Sequence, residues 1–303
     1  MAHDHPLSHP ATSSPRNKRE LWWVLLLCSS YMIAEIVGGL ISHSLALLAD
    51  AGHMAIDTAA IGLSLFASWI AQKPATDEKT YGYYRAEILA ALLNGATLVA
   101  ISIGIFIESW RRLNHPPEIQ GQVMIVVAIG GLVVNLIGLY LMHRRSHENL
   151  NMHGVWLHLL TDTLGSLAAI VAAFLIWHFG WNLADPIISM AISALILFGS
   201  WKLLSECVNV LLEGVPKGMD VGQIKQGIEA LEGVQGVHDL HVWTVTSGVP
   251  ALSAHVRVME RVDHGVVLQS VTALLRDRHH IEHVTLQLEP PTFTHPDSHL
   301  CFK

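Results

Sequence analysis

The segment SLALLADAGHMAIDTAA, residues 44–60, is an apolar run interrupted by His53 and Asp57, and LHLLTDTLGS, residues 157–166, repeats the pattern with His158 and Asp162. An i, i+4 spacing puts both polar side chains of each motif on one face of a helix. The surrounding chain says what kind of helix this is. Ile88–Ile107 and Val123–Met142 each hold 20 residues without Asp, Glu, Lys or Arg. Such a length, at ~1.5 Å per residue, crosses a ~30 Å hydrocarbon core. Of the 303 residues, 51% are hydrophobic and 14% charged, where a soluble domain carries roughly 25% charged residues. This composition excludes an ordinary cytosolic enzyme and reads as an α-helical membrane protein.

Six transmembrane helices can be placed, at 21–41, 45–71, 84–112, 119–145, 151–178 and 184–212, joined by short loops with turn residues such as His115-Pro116-Pro117. Residues 1–20 lack apolar periodicity and read as a His-containing disordered arm. Arg16, Lys18 and Arg19 before Leu21 resemble the charged region of a signal peptide, but the apolar run continues to Ile41 and further spans follow, so the first helix is retained. Six crossings put both termini on one side. Arg16, Lys18, Arg19, Lys73, Lys79, Arg85, Arg144 and Arg145 flank that side, against Arg111 and Arg112 on the other, so the termini are expected in the cytoplasm.

After residues 21–213, the expected transport domain, Gly214-Val215-Pro216 opens a small soluble domain, 214–290, followed by a tail, 291–303. Asp220 starts an amphipathic helix, 238–246 and 251–259 alternate as strands, 264–279 is a helix and 283–289 a last strand. The order αββαβ is that of a cytosolic α+β domain of ferredoxin-like character. In its second strand Leu252, Ala254, Val256 and Val258 share one face, and Ser253, His255 and Arg257 the other. In the third, Val284, Leu286 and Leu288 point inward and Glu289 falls on the polar side.

Charge inside a bilayer is costly, so intramembrane ionisable groups face the bundle interior and mark function. His53, Asp57, His158 and Asp162 together supply two imidazoles and two carboxylates. A tetrahedral N2O2 set suits Zn2+, whose bonds to such ligands are ~2.0 to 2.2 Å, and two carboxylates neutralise the ion. Both motifs lie about 15 Å from the ends of their spans at ~1.5 Å per residue, near the midplane. They occupy the second helix of each three-helix half, as an inverted repeat would arrange them. The alternative is that each pair only fixes helix packing; two copies at matching depth weigh against it. Asp50 shares the face of His53, either beside the site on an outer exit path or as a polar packing residue. Glu35 and Glu108 read as packing or interfacial residues, with proton access as the other reading.

These residues, with YGYYRAEILAALLNG, ADPIIS, NVLLEGVP and GVHDLHVW, resemble the cation diffusion facilitator family, in particular its bacterial zinc-efflux branch, over about residues 20–290. The resemblance implies a homodimeric exporter in the bacterial inner membrane, carrying Zn2+, often also Cd2+, out of the cytosol in exchange for protons. His53, Asp57, His158 and Asp162 match the family's transport site, and His at position 53 resembles its zinc-selective version. Nitrogen in place of oxygen there disfavours Mn2+. Arg85 and Glu213 match a basic and an acidic residue that interlock near the membrane junction; a solvated ion pair is the plainer reading. In the cytosolic domain His238, His255, His264 and Glu289 fall where the family resembles a regulatory metal site at the dimer contact. Gln287 stands where some relatives have a ligand His, so one ion per protomer is expected, with His241, His283 and Cys301 as substitute ligands. The loop DEKTYGYY has no His and is expected to hold no metal.

Other classes fit less well. The net charge of −7 argues against nucleic acid as a partner, and Cys28, Cys207 and Cys301 form no C-x-x-C pair. No H-E-x-x-H, G-x-S-x-G or phosphate-loop motif is present, which speaks against a hydrolase and against direct ATP drive, and no organic cofactor is implied. Twenty histidines outnumber Lys and Arg together, and His3, His5 and His9 in the arm either capture zinc weakly or form an inert tail. Two rivals remain: a transporter preferring Co2+ or Ni2+, and a membrane metal sensor that moves no ion.

Overall fold

The computed structural model describes residues 15–143, 150–246 and 248–293; some side chains inside the helices, those of Asp57 and His158 among them, lie outside the described residues. The elements in chain order are α1 (Pro15–Ser42), α2 (Leu45–Ala71), α3 (Ala86–Asn114), α4 (Gly121–His143), α5 (Leu150–Phe179), α6 (Ala184–Leu211), α7 (Val221–Glu229), β1 (Val234–Thr246), β2 (Val249–Val258), α8 (His264–His279) and β3 (His283–Glu289). They form two compact units, Met1–Gly62 with Asn94–Trp201, and Leu63–Leu93 with Lys202–Lys303.

The first unit is apolar outside and polar inside, the reverse of a soluble protein. Phe198 is 80% exposed and Tyr140 73%, while Glu35, Asp50, Asn135, Asp162 and Asp185 are all buried. Lipid is the solvent that makes this stable, since it solvates the outward apolar rings and leaves polar groups to pair internally. Among the described residues, Ala86–Asn114, Gly121–Leu141, Leu159–Phe179 and Ala184–Leu211 are long and apolar enough to cross a membrane, and Leu26–Ser42 adds a shorter apolar stretch. α2 has 27 residues, about 40 Å of helix. α1 starts at Pro15, inside the stretch expected to be a disordered arm; proline's fixed φ suits a helix's first turn. Residues 1–14, with His3, His5 and His9, lie outside the described residues, as do 294–303 with Cys301, and Arg144 and Arg145.

Small residues let the helices approach. Ala46, Ala128, Ala169, Ala172 and Ala173 line one core cluster with Leu47 and Met124. At the start of α4 a Cβ on Gly121 would lie 2.9 Å from the Trp177 backbone nitrogen, so only glycine fits. The beginning of α2 is fixed from α6: the buried Asp185 carboxylate accepts from Leu45 N at 2.9 Å, Ala46 N at 3.1 Å and Ser44 Oγ at 2.5 Å. These are N–H groups that a helix start cannot pair with itself.

In the second unit the sheet order is β1-β2-β3, with β1 and β2 antiparallel and β2 and β3 parallel. Together with α7 and α8 this is the αββαβ arrangement expected from the pattern. Asp220 caps α7, accepting from Gly222 N at 2.8 Å and Gln223 N at 3.2 Å. Ile224, Ile228, Val267, Val271 and Leu275 of the two helices close on Leu252, Ala254, Val256 and Val258 of β2. The other face of the sheet carries the polar residues.

Candidate metal centres

His53 of α2 and Asp162 of α5 meet in the first unit, with Nε2 4.0 Å from Oδ1. Ligand atoms around tetrahedral zinc stand about 3.3 Å apart at ~2.0 Å bond lengths, so a small closure brings both onto one ion. His53 is partly accessible at 21% and Asp162 is buried at 4%, which leaves one open side to the pair. Further along the same helices a Cβ on Gly165 would lie 3.4 Å from Asp50 Oδ1. Position 50 therefore faces 165 while 53 faces 162, so α2 and α5 run antiparallel at this contact. Asp57 and His158 stand one turn away on the same helices, at backbone positions 57 and 158. Their side chains lie outside the described residues.

Around this pair the buried polar groups extend further than the two motifs. Asn135 Nδ2 donates to Ser166 Oγ at 3.2 Å, and Ser166 is one turn from Asp162. Glu35 is buried at 1% and Asp50 at 5%. Glu108 differs: it is 42% exposed and pairs with Arg112 at 3.1 Å and Arg111 at 4.0 Å, so its charge is met on its own helix.

In the second unit, β1 and β2 bring His238 opposite His255, and Glu289 ends β3 beside them. His255 Nδ1 is 2.8 Å from Glu289 Oε1 and His238 Nε2 is 3.3 Å from Glu289 Oε2. One ligand atom from each of these three residues lies within 4.8 Å of the others. Glu289 is on the polar face, as its register predicts, yet buried at 1%. Gln287 Nε2 donates to Glu289 Oε1 at 3.1 Å, so the amide orients the carboxylate from the next position on its face.

His264 opens α8 and stands outside this group of three. Asp239 joins the neighbourhood instead, with Oδ2 3.7 Å from His255 Nε2 and Oδ1 3.1 Å from His241 Nε2. A shift of register between His238 and His241, with Asp239 at φ 50°, makes this contact. Alternation along a strand would have sent Asp239 to the opposite face from His238; the visible signal was only an acid between two histidines in HDLH. His283 packs edge-on against Tyr81, with centroids 5.7 Å apart.

Arg85 Nη2 and Glu213 Oε1 form an ion pair at 3.1 Å, with side chains 38% and 64% exposed. An exposed pair contributes roughly 0 to 1 kcal/mol, so its geometry matters more than its energy. Two residues beyond Arg85, Glu87 Oε2 accepts a part-buried hydrogen bond from Thr246 Oγ1 at 3.1 Å. The 76–85 loop between α2 and α3 presents Lys79 over the Tyr83 ring at 4.5 Å and no imidazole.

Comparison with known proteins agrees with this architecture. The cation efflux transmembrane domain matches residues 21–212, and the cation efflux protein cytoplasmic domain matches residues 216–291. The chain is 39% identical to a cadmium, cobalt and zinc/H(+)-K(+) antiporter of Bacillus subtilis, covering 99% of this chain and 96% of that protein. It is 40% identical to the zinc transporter ZitB of Escherichia coli, with the same coverage. It is also 40% identical to the metal cation efflux system protein CzcD of Cupriavidus metallidurans, over 95% of this chain and 89% of that one. Among solved structures, the metal-bound C-terminal domain of the CzcD transporter is 38% identical over 23% of this chain and 99% of its own, with a TM-score of 0.23. With both family models matched across the apolar helices and the small αββαβ domain, and relatives about 40% identical over nearly the whole chain, this chain belongs to the cation efflux, or cation diffusion facilitator, family.

Proposed function

We propose that this protein exports Zn2+, and Cd2+ as a second substrate, from the bacterial cytosol in exchange for protons, through a four-residue site of His53, Asp57, His158 and Asp162. The approach of His53 to Asp162 across an apolar bundle carries this reading. The antiparallel contact supports it further, because the progression that faces 50 with 165 and 53 with 162 brings position 57 level with 158. The names of the relatives point the same way: the Bacillus protein is an antiporter for cadmium, cobalt and zinc, and the Escherichia protein a zinc transporter.

Proton coupling follows from the ligands. Zinc takes neutral imidazole and ionised carboxylate, so binding releases protons, and an acidic far side favours discharge of the ion. Protons and metal compete for the same four side chains, and a rocking of the bundle alternates their access. With both termini in the cytoplasm, the cytosolic domain reads the zinc level on the loading side. His238, His255 and Glu289 hold a regulatory Zn2+ there, with Asp239 orienting His255, and the domain joins two protomers into a homodimer. A sensor that moves no ion would use this second centre alone and leave the pairing of His53 with the buried Asp162 unexplained.

The test is Zn2+ entry into vesicles reconstituted with purified protein, read by an internal zinc dye. Entry accelerated by an acid interior is the expected result. Zinc-binding protein that gives no entry with or without the acid interior would transfer the function to the sensor.

A further inference from the structure

The described part of the bundle contains more buried oxygen than the four-residue site uses. Glu35 of α1 is 99% buried, being 1% exposed, and its Oε2 has no hydrogen-bond partner. Asn135 of α4 is 2% exposed; its Nδ2 is spent on Ser166 Oγ, and its Oδ1 also lacks a partner. A buried acceptor without a donor costs about 1 to 3 kcal/mol, more for a carboxylate, and native proteins keep such groups where something else satisfies them.

These groups converge. A Cβ built on Gly131 would lie 2.9 Å from Glu35 Oε1 and 3.2 Å from Ser166 Oγ, so glycine at this position is what lets the Glu35 carboxylate reach the serine of α5. Gly165, the residue before Ser166, lies beside Asp50, whose Oδ1 would stand at ordinary contact distance, 3.4 Å, from a Cβ there. Glu35 and Ser166 thus flank Gly131, Asn135 is bonded to Ser166, and Asp50 lies against Gly165; no Lys, Arg or His donates to Glu35 or Asp50 among the hydrogen bonds and ion pairs of the described residues.

Two carboxylates, an amide oxygen and a hydroxyl on neighbouring helix positions, with no cationic partner among the described residues, are the ligand types of a hard divalent cation. The region lies about one helical turn from the His53–Asp162 pair, since Asp50 precedes His53 by three residues and Ser166 follows Asp162 by four. We infer that Glu35, Asp50, Asn135 and Ser166 form a second, all-oxygen binding station for a divalent metal ion, separate from the His-containing site and next to it on the transport path. The inference rests on the transport reading for its role, and on the oxygen cluster alone for its existence. An all-oxygen station holds zinc less tightly than imidazole does, so an ion passed to it from His53 and His158 is an ion on its way to release. Its side of the bundle is the one toward the start of α2, which the distribution of Lys and Arg assigns to the exterior.

The test uses the purified full-length protein and its isosteric variants Glu35→Gln and Asp50→Asn, with Mn2+ as the hard-cation probe. Bound Mn2+ is counted from the loss of the free-ion electron paramagnetic resonance signal, and tight Zn2+ sites are counted by titration. The expected result is one fewer Mn2+ per protomer in each variant at equal free Mn2+, with the number of tight Zn2+ sites unchanged. In vesicles both variants should then slow Zn2+ entry by about tenfold. Equal Mn2+ counts in wild type and both variants would overturn the station, and wild-type Zn2+ entry in both would overturn its place on the path. If the wild type itself moves no Zn2+, the transport reading fails, and the Mn2+ count still decides whether the station exists.

Discussion

His53 on α2 and Asp162 on α5 stand 4.0 Å apart inside a bundle whose outer surface is apolar. Neither residue is needed to make its helix, and each costs free energy by being in a bilayer. What they gain from each other in the absence of metal is modest, because neutral imidazole and carboxylate attract weakly. A divalent ion between them, shared with the second His and Asp, changes the balance.

Zinc affinity should fall as the pH falls. Metal and protons compete for imidazole nitrogen and carboxylate oxygen, so each ligand protonated weakens binding, and Zn2+ added to weakly buffered protein should release protons. Titration at several pH values with a pH electrode measures both. Binding that is flat between pH 7.5 and 5.5 would remove His53 and His158 from the ligand set.

Replacing His53 by Asp should relax selectivity. The exchange turns a nitrogen ligand into oxygen, which favours Mn2+ and Cd2+ relative to Zn2+. The Mn2+ to Zn2+ ratio of initial transport rates should rise at least severalfold; an unchanged ratio would mean that position 53 does not set selectivity.

At the cytosolic centre, His255→Ala should remove one bound Zn2+ per protomer. Asp239→Ala should keep the ion but weaken it by about 10-fold, the usual effect of losing a group that orients a ligand histidine. Isothermal titration of the full chain distinguishes the two, and equal affinity in Asp239→Ala would reduce its contact with His255 to incidental proximity.

Asp185→Ala should destabilise the bundle without touching a metal ligand. Leu45 N, Ala46 N and Ser44 Oγ lose their acceptor, a loss of about 2 kcal/mol and roughly 5 °C in melting temperature in detergent. A melting curve superimposable on wild type would show that water or another group replaces the carboxylate.

Much of this was legible in the sequence because it follows from period and polarity. The uncharged runs at 88–107 and 123–142 mark spans, and alternation at 252–258 separates the core of the small domain from its polar face. Other features depend on contacts between residues far apart, which no local period carries. Asp185 reads as one acid at the start of a span, and only the fold brings it to the first turn of α2, 140 residues earlier. Glu289 reads correctly as polar-facing, but its burial comes from the two histidines across the sheet. Asp239 is turned by a change of strand register that the pattern HDLH does not disclose. Glu35 looks like an isolated acid in α1 until Gly131 of α4 is seen to make room for it.

The most direct test of the central claim is Zn2+ entry into acid-interior vesicles containing Asp162→Ala, beside wild type at equal protein density. The account predicts loss of entry by at least 100-fold, with expression and dimer formation kept, because the ion loses a carboxylate that both neutralises and holds it. Entry at the wild-type rate would contradict the account and return the paired motifs to helix packing.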